Sequence, residues 1–157
     1  MKPAQLLVMF YLDEQRYALY LSVVERVVPA LEITRLPKSP EIIAGIINIQ
    51  GEIIPVADIR KRFNLPEKKT TDTDQFIIAR TRGRIIAIIT DHVHGVIENS
   101  GTQVQTKSVV PGSDTIEGVI KLKDGLVLIH DLNNFLSLEE QKDLDKALKQ
   151  KLVKENS

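Results

Sequence analysis

The sequence predicts a mainly β protein made of two small β-barrels followed by a C-terminal α-helix. Val and Ile contribute 14 and 19 of the 157 residues, and all of them except Val153 precede Ser137. These β-branched residues favour strands over helices. About ten short apolar runs, separated by turn residues, fill the chain before Ser137, which is enough for two barrels of roughly five strands each.

The first half of the chain contains five apolar runs that are short enough to be strands. Pro37 and Pro40 end the third run, because proline cannot donate to a strand ladder. Gly51 lies between the fourth and fifth runs and predicts a tight hairpin there. The expected strands are residues 6–12, 17–20, 27–36, 46–50 and 53–56, with a brief helical turn at 22–25.

The second half repeats this alternation of apolar runs and turns. The sequence Thr81-Arg82-Gly83 predicts one hairpin turn, and Asp124-Gly125 predicts another. The polar stretch Ser100–Asp114 is expected to be a long loop. The expected strands are residues 76–79, 85–89, 93–97, 119–122 and 126–129.

The last twenty residues have the pattern of a helix. Ser137 and Glu140 have the spacing of a capping box, in which each side chain bonds the other residue's backbone N–H. Leu144, Leu148 and Leu152 follow at a spacing of four and form one apolar stripe. We therefore expect a C-terminal helix that packs a narrow face on the body of the protein.

Two similar segments suggest how the chain is organised. Ile54–Ile59 and Val127–Leu132 are each an apolar strand followed by an Asp, and an Asp there suits a helix or turn N-cap. Pro66–Asp74 is the clearest polar break between them. We expect residues 1–136 to form one domain of two β-barrel subdomains joined near 66–74, with residues 137–157 as helix and tail.

Composition excludes several classes of protein. The chain has 21 basic and 21 acidic residues, whereas nucleic-acid binders usually carry a basic excess. It contains no cysteine, so disulfides and cysteine-ligated zinc are absent. No apolar run approaches the length of a membrane span, and the N-terminus lacks the features of a signal peptide. We expect a soluble, cytoplasmic protein without membrane insertion or nucleic-acid binding.

Candidate catalytic and metal-binding residues have simpler explanations. His92 and His94 would share one strand face, and with His130 they offer a three-histidine metal site, but nothing in the sequence brings His130 to the pair. No nucleotide-binding or nucleophile motif is present. The basic run Arg60–Arg62 is best explained as a solvated surface. We therefore expect no catalytic residues, no metal and no cofactor, with a small metal-binding protein or β-barrel enzyme as the alternative.

Several motifs, in order along the chain, resemble the CheW-like chemotaxis coupling proteins. The longest runs from Pro37 to Arg60 (PKSPEIIAGIINIQGEIIPVADIR) and is similar to the signature of that family. The shorter ones are Tyr17-Ala18-Leu19, Val24 with Val27, Asp91 with Val93 and Val96, Gly118–Ile120 and Asp124–Leu132. Together they extend the resemblance from about Leu7 to Leu136.

This resemblance implies two five-stranded, SH3-like barrels and a non-enzymatic adaptor. Such proteins couple the cytoplasmic tips of methyl-accepting chemoreceptors to the histidine kinase CheA, which carries a CheW-like regulatory domain of its own. The receptor tip is expected to dock as a helical hairpin in the groove between the barrels. The adaptor is expected to be cytoplasmic and recruited to membrane-associated receptor arrays. The alternative is an adaptor of a non-flagellar chemosensory pathway, such as twitching motility.

The resemblance also suggests which residues contact the receptor or the kinase. The matching positions are Val24, Arg26, Gln50, Gly51, Ala87, Val93 and Val96. Two of them depart from the family pattern, because Gln50 stands where the family usually has Arg and Arg26 stands where an acidic residue is common. A neutral amide cannot replace a charged planar guanidinium, so these departures predict an altered set of partner contacts.

Overall fold

The computed structural model describes residues 5–81, 83–99, 103–104, 116–133 and 135–155, and side chains up to 151 in the last range. These residues form two β-sheets, one short 3-10 turn at Leu21–Val23 and one α-helix. The strands are β1 (Gln5–Leu12), β2 (Gln15–Tyr20), β3 (Val24–Pro29), β4 (Ile43–Ile49), β5 (Glu52–Ala57), β6 (Gln75–Thr81), β7 (Arg84–Thr90), β8 (His92–Asn99), β9 (Gln103–Val104), β10 (Ile116–Leu122) and β11 (Gly125–His130), and the helix is α1 (Leu138–Glu155). The predicted mainly β fold with a C-terminal helix is confirmed.

The strands divide into a six-stranded and a five-stranded sheet. The six-stranded sheet has the order β8-β1-β2-β11-β10-β9, and the five-stranded sheet has the order β3-β6-β7-β5-β4. Each contains one parallel pair, β11 with β2 and β5 with β7, among antiparallel neighbours. The sixth strand, β9, has only two residues. The two sheets are therefore similar units of about five main strands, as the sequence predicts.

The five-stranded sheet closes into a barrel beyond β3. Thr34, which follows β3, exchanges two backbone hydrogen bonds of 2.8 Å with Ile46 of β4, at the opposite edge of the sheet. Gly45 makes this approach possible, because a Cβ at that position would collide with the carbonyl oxygen of Thr34. The glycine has φ +153°, a conformation that other residues rarely adopt.

The polar segment 66–74 does not separate the two sheets, so the predicted break is wrong. It connects β5 to β6, and both belong to the five-stranded sheet. The five-stranded sheet is built from β3–β7, whereas the six-stranded sheet combines β1 and β2 with β8–β11. The chain passes between the sheets at Leu21–Val23 and at Asp91. A polar composition indicates that a segment is exposed to solvent. A connection between two strands of one sheet can be as exposed as a linker between two sheets.

Side chains alternate between a core inside each sheet and one large core between the sheets. On β6, Phe76 and Ile78 fill the five-stranded unit, while Ile77 and Ala79 face the other sheet. On β1, Leu7 and Met9 belong to the six-stranded unit, while Val8, Phe10 and Leu12 face the shared core. Strands that are buried on both faces read as continuous apolar runs, which accounts for the many Val and Ile residues.

Helix α1 begins at the predicted capping box and packs on the shared core. The Ser137 Oγ accepts a 3.0 Å bond from the backbone N–H of Glu140, whose carboxylate accepts a 2.9 Å bond from the N–H of Ser137. Leu144 and Ala147 are buried, and Leu148 is half-buried. Among the described residues, no helix is long and apolar enough to cross a membrane. Most of the predicted loop 100–114 lies outside the described residues.

Candidate functional site

Strands β3 and β8 each form an edge of their sheet and present exposed valines beside the core between the sheets. Val27 lies opposite Ile77 of β6, and Val96 lies opposite Val8 of β1. Residues that face each other in a ladder project to the same side, and both Ile77 and Val8 belong to the shared core. Val27 is 37% exposed and Val96 is 56% exposed, so the shared core extends to the surface on both strands.

Val24 and Val93 continue this apolar surface inward. Both are half-buried and pack against the shared core. The backbone N–H of Val93 donates a 2.8 Å hydrogen bond to Gln75 Oε1, and Gln75 pairs with Pro29 at the end of β3. One residue of β6 thus bridges the start of β8 and the end of β3. We call Val24, Val27, Val93 and Val96 the valine margin.

Gln50 and Gly51 form the exposed tip of the β4–β5 hairpin. Their φ angles are 52° and 87°, and two central residues with positive φ define the turn that best matches the twist of a hairpin. The Oδ1 of Asn48 accepts a 2.9 Å hydrogen bond from the N–H of Gly51. The turn therefore presents Gln50 to solvent from a fixed backbone position, and the predicted tight turn at Gly51 is confirmed.

 

Arg26 is exposed on β3, next to the ion pair between Glu25 and Arg80 (2.6 Å). Ala87 is 0% exposed and lies inside the five-stranded unit. Its strand, β7, has β6 on one side and β5 on the other, and both of its faces are covered. The prediction that Ala87 contacts a partner is therefore wrong, because its methyl group cannot be reached from the surface.

Arg60 is the centre of a buried ionic network that joins the two sheets. Its side chain is 3% exposed and donates hydrogen bonds of 2.7 Å to Asp91 Oδ2 and 3.1 Å to Asp13 Oδ1. Asp13 lies in the β1–β2 turn and Asp91 lies between β7 and β8, while Arg60 follows β5. The predicted solvated surface at Arg60–Arg62 is thus wrong for Arg60, since a buried guanidinium needs carboxylate partners.

The network favours the charged forms of Asp91 and Arg60. Burial opposes the charge on Asp91, but the hydrogen bond from Arg60 and the nearby Lys68 ammonium lower the pKa of Asp91 below its usual value. Burial likewise opposes the charge on Arg60, yet its two carboxylate partners raise its pKa. Lys68 lies 2.8 Å from Asp74 and 3.3 Å from Asp91. Five charged groups therefore fix the junction from which β8 and part of the valine margin extend.

The three histidines are arranged as packed or exposed side chains. His130 is 2% exposed between the rings of Phe63 and Phe135, with centroids at 5.7 and 6.0 Å. His92 and His94 are exposed on β8. Within the part of the chain that the structure describes, no group of three His, Asp or Glu side chains could hold a metal ion. Burial lowers the pKa of His130 to about 4. The positive charge of Arg62 also lowers this pKa, whereas the negative charge of Asp131 raises it.

The contact residues expected from the sequence do not include Val27, which is named only as part of a motif, and the role of Arg60 is not expected. Val27 lies three residues after Val24 on an edge strand. The available signal in the sequence was this second apolar residue, close to the charged Glu25 and Arg26. The role of Arg60 had no such signal, because its partners Asp13 and Asp91 are 47 and 31 residues away along the chain.

The chain is similar to one protein family along most of its length. Residues 6–140 match the family model of the CheW-like domain. This match includes both sheets and the first turn of α1.

Relatives and a solved structure agree with this match. The chemotaxis protein CheW of Bacillus subtilis is 30% identical over 141 residues, which cover 88% of this chain and 90% of that protein. The chemotaxis protein CheW of Treponema pallidum is 29% identical over 145 residues, covering 88% and 85%. The crystal structure of the scaffolding protein TtCheW from Thermoanaerobacter tengcongensis superposes with a TM-score of 0.77 at 32% identity, covering 88% of this chain and 96% of that one.

Proposed function

Because the chain belongs to the CheW-like domain family, a family of chemotaxis coupling adaptors, we propose that it links the cytoplasmic tips of chemoreceptors to the histidine kinase CheA. It does so by binding both partners, without catalysing a reaction. It acts in the cytoplasm, where the receptors recruit it to membrane-associated arrays.

The observation that carries the receptor half of this proposal is the valine margin. Val27 and Val96 are exposed apolar side chains on two edge strands, and both extend the core between the sheets. A helical hairpin presents apolar side chains at a spacing of three and four residues, which fits an apolar groove between two packed units. Val24 and Val93 would form the floor of that groove.

The kinase half of the proposal rests on the β4–β5 hairpin tip and on Arg26 of β3. Gln50 and Gly51 are exposed and held in one turn conformation. Arg26 is also exposed. The neutral amide of Gln50 and the guanidinium of Arg26 favour hydrogen-bond acceptors on the kinase. A family member with Arg at the hairpin tip would instead favour an acidic side chain opposite that tip.

The test is a calorimetric titration of the purified chain with CheA and, separately, with receptor cytoplasmic fragments from the same cell. We expect saturable binding to each, and a ternary complex when all three are mixed. A useful comparison is another protein of the family that lacks exposed valines on the two edge strands. Binding to neither partner would contradict the proposal.

A further inference from the structure

A basic depression lies on the five-stranded unit, apart from the valine margin and from the hairpin tip. Its volume is about 570 Å³, and it lies between the segment 33–44 and the connection that follows β5. Five basic side chains line it (Arg35, Lys38, Lys61, Lys68 and Lys69) against two acidic ones (Glu41 and Asp58). The whole chain has no net charge, so this local excess is a property of the fold.

Three of these basic groups are available to a ligand. Lys68 is engaged with Asp74 and Asp91, and the ammonium of Lys61 donates to the backbone oxygen of Glu41 at 3.0 Å. Arg35, Lys38 and Lys69 are exposed, and no carboxylate among the described residues forms an ion pair with them. They can therefore bind an anion without first breaking an internal ion pair.

The wall of the depression that carries Lys38 is held in place. Lys38 has φ 64°, a conformation that is unusual for lysine. The Ser39 hydroxyl donates a 2.7 Å bond to the Leu36 oxygen, and the Ile43 N–H donates a 3.0 Å bond to the Pro40 oxygen. A fixed loop lowers the entropy lost when a ligand binds.

The depression continues into a second one of different character. The second has a volume of about 410 Å³ and shares Ile33, Lys69 and Thr70 with the first. It is lined by Ala30 and by Leu31, which is 38% exposed, and it also carries the acidic Glu32 and Asp72, so an apolar residue suits it better than an acidic one. Two depressions in a row, one basic and one partly apolar, fit an extended chain better than a compact anion.

We propose that the basic depression binds an extended acidic segment of a partner protein, with an apolar residue of that segment beside Leu31. The carboxylates would meet Arg35, Lys38 and Lys69, and charge complementarity would fix the direction of the segment. This site is separate from the surfaces proposed for the receptor and the kinase. A negative result for either of those surfaces would therefore leave this proposal unaffected.

The test uses fluorescence anisotropy with a fluorescein-labelled decapeptide of nine Asp and Glu residues and a Leu near one end. Replacing Arg35, Lys38 and Lys69 together by Gln should weaken its binding about tenfold, since each exposed ion pair contributes a fraction of a kcal/mol. The matched control replaces Lys142, Lys146 and Lys149 of α1 by Gln, which removes the same charge and should leave the affinity within about twofold.

Further arms separate this site from general charge attraction. Equal weakening by the two triple variants, or no saturable binding to the wild type, would overturn the proposal. Displacement of the peptide by tripolyphosphate at concentrations below those at which the unlabelled peptide competes, with sodium chloride at the same ionic strength as the reference, would also overturn it, because the site would then prefer phosphate. Leu31→Ser should weaken binding of the peptide that carries Leu. It should not change binding of the same peptide with Gly in place of that Leu.

Discussion

The buried guanidinium of Arg60 and the partly buried carboxylate of Asp91 meet at 2.7 Å between the two sheets. Asp91 also accepts a 2.6 Å hydrogen bond from the backbone N–H of Asp13 and donates its own N–H to the oxygen of Tyr11 at 3.0 Å. This one carboxylate therefore ties the β1–β2 turn to the crossing from β7 to β8. It therefore acts together with the shared core to hold the two sheets against each other.

Replacing Arg60 by Met should destabilise the protein by about 3 kcal/mol, because the partly buried carboxylate of Asp91 then loses its main partner. Urea unfolding followed by circular dichroism measures the change. The control is Arg80→Met, which removes an exposed ion pair with Glu25 and should cost less than about 1 kcal/mol. Equal effects of the two substitutions would show that the Arg60 network contributes no more than a surface pair.

His130 should make stability fall as the pH is lowered from 6.5 to about 4. Its pKa is 6.5 in the unfolded chain and about 4 when folded, so between these values the unfolded state binds a proton that the folded state does not. The loss should reach about 3 kcal/mol at the lower end. Urea unfolding at several pH values in the wild type and in His130→Leu isolates this contribution.

His94→Leu is the control for that measurement, since His94 is exposed. It should keep the wild-type dependence on pH. Neither ring nitrogen of His130 has a hydrogen-bond partner among the described residues, so His130→Leu should also be at least as stable as the wild type at neutral pH. If His130→Leu kept the pH dependence of the wild type, the assignment to His130 would be wrong.

Gly45 and Gly51 should respond very differently to replacement by Ala. At Gly51 a Cβ would meet nothing within 4 Å, so only the positive φ is unfavourable, and we expect a loss of about 1 kcal/mol. At Gly45 the Cβ would collide with the backbone of Thr34, and we expect about 3 kcal/mol. Thermal unfolding of both variants checks this order, and similar losses would contradict the role of Gly45 in barrel closure.

Val96→Asp should weaken receptor binding at least about tenfold, because a charge would be placed in the centre of an apolar contact. The stability of the isolated protein should change by less than about 0.5 kcal/mol, since Val96 is more than half exposed. Leu126→Asp is the control, because Leu126 is 49% exposed at the β10–β11 hairpin. Equal loss of receptor affinity in both variants would remove Val96 from the binding surface.

Gln50→Glu should weaken kinase binding several-fold while stability stays within about 0.5 kcal/mol. The substitution keeps the shape of the side chain and replaces its amide donor with a negative charge. Gln150→Glu makes the same change on an exposed position of α1 and should leave kinase binding unchanged. Calorimetric titration of both variants decides the point, and unchanged affinity of Gln50→Glu would exclude Gln50 from the contact.

Local patterns determined most of the secondary structure of this protein. The capping box at Ser137, the Asp124-Gly125 turn and the hairpin at Gly51 are each produced by residues a few positions apart, so their signals are readable along the chain. The many Val and Ile residues likewise indicate strands that are covered on both faces. The motifs from Pro37 to Arg60 carried the family resemblance for the same reason, because they lie in one continuous stretch.

Only the tertiary structure decided which strands share a sheet and which side chains are reachable. The polar segment 66–74 looks like a boundary in sequence, yet it connects two strands of one sheet. Ala87 and Val96 are both small apolar residues on strands, and pairing to two neighbours buries the first while an edge position exposes the second. Arg60 resembles its basic neighbours until Asp13 and Asp91 are brought to it. Burial and long-range pairing depend on residues distant in sequence, and no local pattern records them.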